Sequence, residues 1–195
     1  PYTASSLRVR KAPPMTDKPD SALPPGVDPE RVANGISAEL IFPQTDHAEF
    51  LGEVHMCTTE GEPGYWHPVC LIQRHFPRYT FWTFGAAGLS YKHRWGLCGE
   101  NNAICTEKAA DMWRQIQQAA EDAYDRSSDC SFTSFVGYEW TAGGETGENL
   151  HHNVIFRNQQ VPDRAMSWLE TPSQVQLWDY LDKECVAGKP GCDAV

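Results

Sequence analysis

Three short stretches of this sequence carry side chains that bind divalent metal ions. Thr45-Asp46-His47-Ala48-Glu49 places an imidazole among carboxylates, Glu139 stands in Gly137-Tyr138-Glu139-Trp140, and His151-His152-Asn153 offers two adjacent imidazoles. Imidazole and carboxylate together suit Zn, Mn or Fe. Such an ion lowers the pKa of bound water and stabilises charge developing on an ester oxygen, so the set points to metal-assisted hydrolysis. Each stretch alone has a plainer structural explanation. Asp46 can cap a helix beside a surface histidine, Glu139 can lie on the solvated face of a strand, and a histidine pair can be incidental. Glu139 is the least ordinary, because a carboxylate buried among aromatic residues is costly unless paired, hydrogen-bonded or metal-bound.

The elements that must position these groups can be read from periodicity. A short buried strand over 39–44 runs into Thr45-Asp46, and ligands at the C-terminal end of a strand face the crevice where α/β proteins place their sites. Pro43 argues against a central position for it. Ser131 to Ala142, rich in aromatic and β-branched residues, predicts a second strand. Alternation there sets Glu139 on one face with Phe135 and Thr141, and Tyr138 with Trp140 on the other. After the turn sequence GGETG, Asn149 to Arg157 predicts a third strand, either in an antiparallel hairpin or crossing to another neighbour. His151 shares a side with Asn153 and Ile155, while His152 shares the more apolar side with Leu150, Val154 and Phe156. If that apolar side packs the core, His151 is the metal ligand.

Two helices complete the framework. Ala109, Met112, Trp113, Ile116, Ala119, Ala120 and Ala123 recur at helical spacing within Thr106 to Arg126. Thr171-Pro172-Ser173-Gln174 reads as a capping box opening a second helix, with Thr171 as the cap and Val175, Trp178 and Leu181 as its buried stripe. Asp193-Ala194-Val195 reads as the start of another strand.

The net charge of −10 argues against a binder that tracks nucleic-acid phosphates, and no apolar run spans a bilayer. Residues 1–38, with Pro13-Pro14 and Pro24-Pro25, read as an extended arm. Residues 57–105 read as an irregular insertion rich in cysteine and aromatic residues (Trp66, Trp82, Tyr91, Trp95). Its histidines, His67, His75 and His93, and His55 just before it, default to solvated or hydrogen-bonded roles. Seven cysteines without a close CxxC pair favour a disulfide-bearing periplasmic or extracellular protein over a structural zinc site. Cys185 and Cys192 are placed to close a small loop, and the odd count leaves at least one cysteine without an intrachain partner. Reduced, half-buried thiols are the alternative.

Several of these segments together resemble a known family. Thr45-Asp-His-Ala-Glu-Phe-Leu-Gly-Glu53, the block CSFTSFVGYEWTA from Cys130, and Asn149-LHHNVIFRN are similar to signature segments of a secreted family of unassigned biological function. That family is akin to the polymerase-and-histidinol-phosphatase (PHP) superfamily of metal-dependent hydrolases. AADMWRQIQQAAEDAYDR and SQVQLWDYLDKEC extend the resemblance over 39–195. The resemblance implies an α/β fold, part of a distorted TIM-like β/α barrel with a multinuclear metal site at the strand ends. It implies that His47 and His151 are metal ligands, that Glu139 is a bridging ligand with a catalytic role, and that Asp46 is a catalytic or orienting carboxylate.

The superfamily's opening His-x-His, a later histidine and its closing Asp-x-His have no counterpart here. Either the chain is an internal fragment of a longer parent chain, or another copy in a homo-oligomer supplies the rest of the site, or the site is inactive; the fragment is the expectation. The expected activity is metal-dependent hydrolysis of a small-molecule ester, above all a phosphoester. The alternative is a non-catalytic exported binding or structural module on the same scaffold.

Overall fold

The computed structural model describes residues 40–80, 82, 92–128, 132–143 and 149–194. The arm expected over 1–38, the turn at 144–148, and Cys130 lie outside the described residues.

A three-stranded sheet organises the chain, in the order β1-β2-β3. β1 (Leu40–Gln44) runs parallel to β2 (Phe132–Gly143), Leu40 pairing with Phe132 and Gln44 with Val136. β3 (Asn149–Ile155) runs antiparallel to β2, from Gly143 opposite Asn149 to Gly137 opposite Ile155. The hairpin expectation therefore holds. Among the described strands β1 lies at the sheet's edge, where the missing amide of Pro43 is tolerated. Beyond β3, Phe156 bridges to Ala194, so the segment read as a strand start lies beside the sheet as an isolated bridge.

Between β1 and β2 the chain forms α1 (Leu51–Thr58), α2 (Pro68–His75), the one-turn α3 (Pro77–Thr80) and the long α4 (Ala103–Ala123). The stretch 57–105, expected to be irregular, thus holds short helices and two disulfides, Cys57–Cys70 and Cys98–Cys105. Helices of eight and four residues show too little of the apolar period to stand out in sequence. Their packing comes from a small core of Met56, Cys57, Cys70, Trp95, Leu97, Cys98 and Cys105.

The main core lies between α4 and the sheet. Trp113, Ile116 and Ala120 pack on Val136, Tyr138 and Trp140 of β2, with Val154 and Phe156 alongside. The Trp113 and Tyr138 rings meet edge to face at 5.6 Å, and the Trp113 indole donates to the Pro162 carbonyl at 2.8 Å. The expected stripe narrows here: Ala119 and Ala123 are exposed.

α5 (Gln174–Leu181) closes one side with Leu177 buried and Leu181 partly so, whereas Val175 and Trp178, expected in the buried stripe, lie on its exposed face. Its cap is Ser173, whose hydroxyl accepts from the Gln176 amide at 3.2 Å, and not Thr171 as the sequence suggested. Thr171 is occupied elsewhere: its hydroxyl donates to the Ser167 carbonyl at 2.8 Å and accepts from the Trp140 indole at 3.1 Å. A loop closed by Cys185–Cys192 follows, as the spacing suggested. The three described strands do not by themselves form a closed barrel.

Candidate metal centre

Each expected ligand is positioned by a different piece of the sheet. His47 leaves β1 and continues its parallel course along β2 as a bridge to Glu139, with the Glu139 amide donating to the Asp46 carbonyl at 2.9 Å. Glu139 stands on the face of β2 opposite the core side chains Tyr138 and Trp140. In the antiparallel register Thr141 pairs with His151 and Glu139 with Asn153, so Glu139 and His151 are diagonal neighbours on one face. The ligand atoms of His47, Glu139 and His151 all lie within 4.8 Å of one another.

Glu139 serves both histidines. Its Oε1 contacts His151 Nδ1, and its Oε2 lies 3.6 Å from His47 Nε2. The Thr141 hydroxyl sits between the three, 3.0 Å from each histidine Nδ1 and 3.2 Å from Glu139 Oε1. Both imidazoles are half exposed, at 49% for His47 and 50% for His151, whereas Glu139 is at 18%. The cluster therefore opens to solvent on its histidine side.

His152 goes the other way, as alternation requires. Its ring lies 5.7 Å from that of Trp140, and its Nε2 pairs with the Gln174 amide at 2.6 Å. Asp46 is exposed and is not one of the three converging ligands.

Three residues given no role in the sequence reading complete the surroundings. Glu49 is fully buried, and its Oε1 accepts from the backbone amides of Thr141 at 2.8 Å and Trp168 at 3.3 Å. Thr141 was legible only as a neighbour of Glu139 by alternation. Arg94, buried at 6% exposure, donates to the Glu49 carbonyl at 2.9 Å, to both Glu53 oxygens at 3.0 and 3.1 Å, and to Glu170. Burial works against its charge, but Glu53 and Glu170 outweigh it and raise the guanidinium pKa. The Glu49 carboxylate is the largest influence on His47. With smaller contributions from Glu139 and Asp46 it outweighs burial and raises the imidazole above its ordinary value. The local field of these carboxylates thus favours positive charge at His47.

Two imidazoles and a carboxylate, convergent and partly open, are a donor set for Zn, Mn or Fe. The second potential cluster, Glu53 with Cys98 and Cys105, is a different case, because both sulfurs are held in a disulfide.

A family model described as "Protein of unknown function (DUF3604)" matches residues 41–194. No curated protein and no solved structure gives a match.

Proposed function

The chain belongs to the family described as protein of unknown function (DUF3604), and from that premise we propose a metal-dependent hydrolase of the PHP kind, acting on small-molecule phosphoesters. The observation that carries this reading is the convergence of His47, Glu139 and His151 within 4.8 Å. The fold of this reading is a TIM-like β/α barrel of which the three strands are a part, its remaining ligands coming from outside the described residues.

His47, Glu139 and His151 would hold the ion, with the Glu139 carboxylate in contact with both histidines. Zn, Mn or Fe at this place would supply a Lewis acid and lower the pKa of a bound water. The chain itself contributes orientation. Strand pairing fixes Glu139 against His151, the bridge to β2 fixes His47, and the Thr141 hydroxyl ties all three. Asp46 adds negative charge at His47, in keeping with an orienting role.

Three disulfides support an exported protein; no helix among the described residues is long and apolar enough to cross a membrane. A second reading, a binding module without turnover, draws on the exposed rings of Trp66, Phe76 and Tyr79 around α2 and α3. Metal content and phosphomonoesterase activity separate the two readings. Stoichiometric metal with turnover on an aryl phosphate is expected, lost in His47→Ala and Glu139→Gln and retained in His152→Ala. Unchanged metal loading in His47→Ala would remove the assignment. A metal-free, inert protein would favour the binding module.

A further inference from the structure

Glu49 is the buried charged group that the metal-site reading leaves without a role. Every part of it but one is engaged. Its carbonyl accepts from Arg94, and its Oε1 accepts from the Thr141 and Trp168 amides. Its Oε2 is buried and makes no hydrogen bond within the described residues. Carboxylate oxygens only accept, and a buried acceptor without a donor is costly. His47 Nδ1, at 3.5 Å, is the ring nitrogen that this oxygen faces.

Resting on the metal-site reading above, we propose that Glu49 is the positioning residue of the site. It holds His47 as the Nδ1–H tautomer, leaving the Nε2 lone pair toward Glu139. A metal-ligating histidine characteristically donates its other ring N–H to a carboxylate, which fixes both tautomer and ring orientation. The geometry supplies each part of that arrangement. Nε2, at 3.6 Å from Glu139 Oε2, is on the ligand side, and Nδ1 is on the Glu49 side. The Thr141 hydroxyl agrees with it. Its proton is donated to Glu139 Oε1 at 3.2 Å, which leaves its oxygen free to accept from His47 Nδ1 at 3.0 Å. Arg94 reinforces Glu49 along two routes. It holds the Glu49 carbonyl directly, and through Glu170, which accepts from the Ser167 amide at 3.2 Å, it steadies the turn presenting the Trp168 amide.

Glu49→Gln is a sharp probe, because an amide oxygen can keep both backbone amides while the amide nitrogen turns a donor toward His47. The tautomer of His47 is read in metal-free protein by long-range 15N–1H correlation in alkaline buffer, its signals assigned by their loss in His47→Gln. Zinc affinity is read by competition with a chromogenic chelator. Wild type is expected to show Nδ1–H. Glu49→Gln is expected to move the proton to Nε2 and weaken zinc by about 10- to 100-fold. Thr141→Val, which removes the other group near Nδ1 but keeps the backbone amide, is expected to retain Nδ1–H. Retention of both tautomer and affinity in Glu49→Gln overturns the proposal. So does loss of Nδ1–H in Thr141→Val, which also keeps the test decisive if Glu49→Gln does not fold. A wild type that binds no zinc while Glu49→Gln still switches the tautomer sinks the metal-site reading and upholds the positioning contact.

Discussion

At the residue scale, the site depends on which way single side chains turn. His151 and His152 are adjacent, yet one joins Glu139 and Thr141 while the other packs toward Trp140 and pairs with Gln174. Strand alternation alone separates them. Burial acts on single groups with equal force on the core side. Tyr180 donates its hydroxyl to the Arg164 carbonyl at 2.8 Å, and burial, aided by Glu184, pushes its pKa up to about 12. Its pKa is raised on folding, so the native phenol keeps a proton that the unfolded chain gives up near the ordinary tyrosine pKa of about 10. Tyr180 therefore contributes stability that is fully present below about pH 10 and lost as pH rises toward 12. Tyr180→Phe is expected to flatten the alkaline arm of the melting temperature against pH. Parallel curves for the two proteins would show that the phenol does not ionise on unfolding.

At the element scale, β2 joins core and site. Its apolar face meets α4 through Tyr138 and Trp140, and its other face carries Glu139 and Thr141. The strand cannot slip by one residue without exchanging the two sets, so the core packing that selects the register also aims the ligands. The crossing of α1 and α4 is equally demanding. A Cβ on Gly52 would stand 2.0 Å from the Cys105 carbonyl oxygen. Gly52→Ala gains up to about 1 kcal/mol of helix propensity. Overpacking against backbone costs about 3 kcal/mol or more and wins. A clear loss of denaturant midpoint is expected for Gly52→Ala, and a neutral or stabilising result would mean that the helices move apart freely.

At the scale of the whole molecule, the described residues contain two cores of different kinds. The larger, between α4 and the sheet, relies on aromatic packing with one disulfide, Cys185–Cys192, against it, while the smaller around α1 and α2 is crossed by two, Cys57–Cys70 and Cys98–Cys105. A loop with sequence separation 7 is worth about 2.5 kcal/mol of chain entropy when closed. Reduction is therefore expected to loosen the smaller core first. Hydrogen exchange under dithiothreitol should accelerate in α2 and leave β2 protected; uniform acceleration would mean that the two cores unfold as one unit. Arg94 joins the two, pairing with Glu53 of α1 and with Glu170 beside the sheet.

The local elements follow from neighbours in sequence, and so they were readable in advance. The aromatic run around Glu139 marks a strand, the spacing of Trp113 and Ile116 marks a helix, and alternation distinguishes His151 from His152. Cys185 and Cys192, seven residues apart, close the loop that their spacing suggested. Other features required the tertiary structure, because their partners lie far apart in the chain. Thr171 resembles a cap until Trp140 takes up its hydroxyl across 31 residues. Glu49 stands two positions from His47, but its burial, its bonds to Thr141 and Trp168 and its hold by Arg94 arise only once β2 and the loop after β3 fold over it. Periodicity records which side of an element is apolar; which buried carboxylate meets which imidazole depends on contacts nearly a hundred residues apart in sequence.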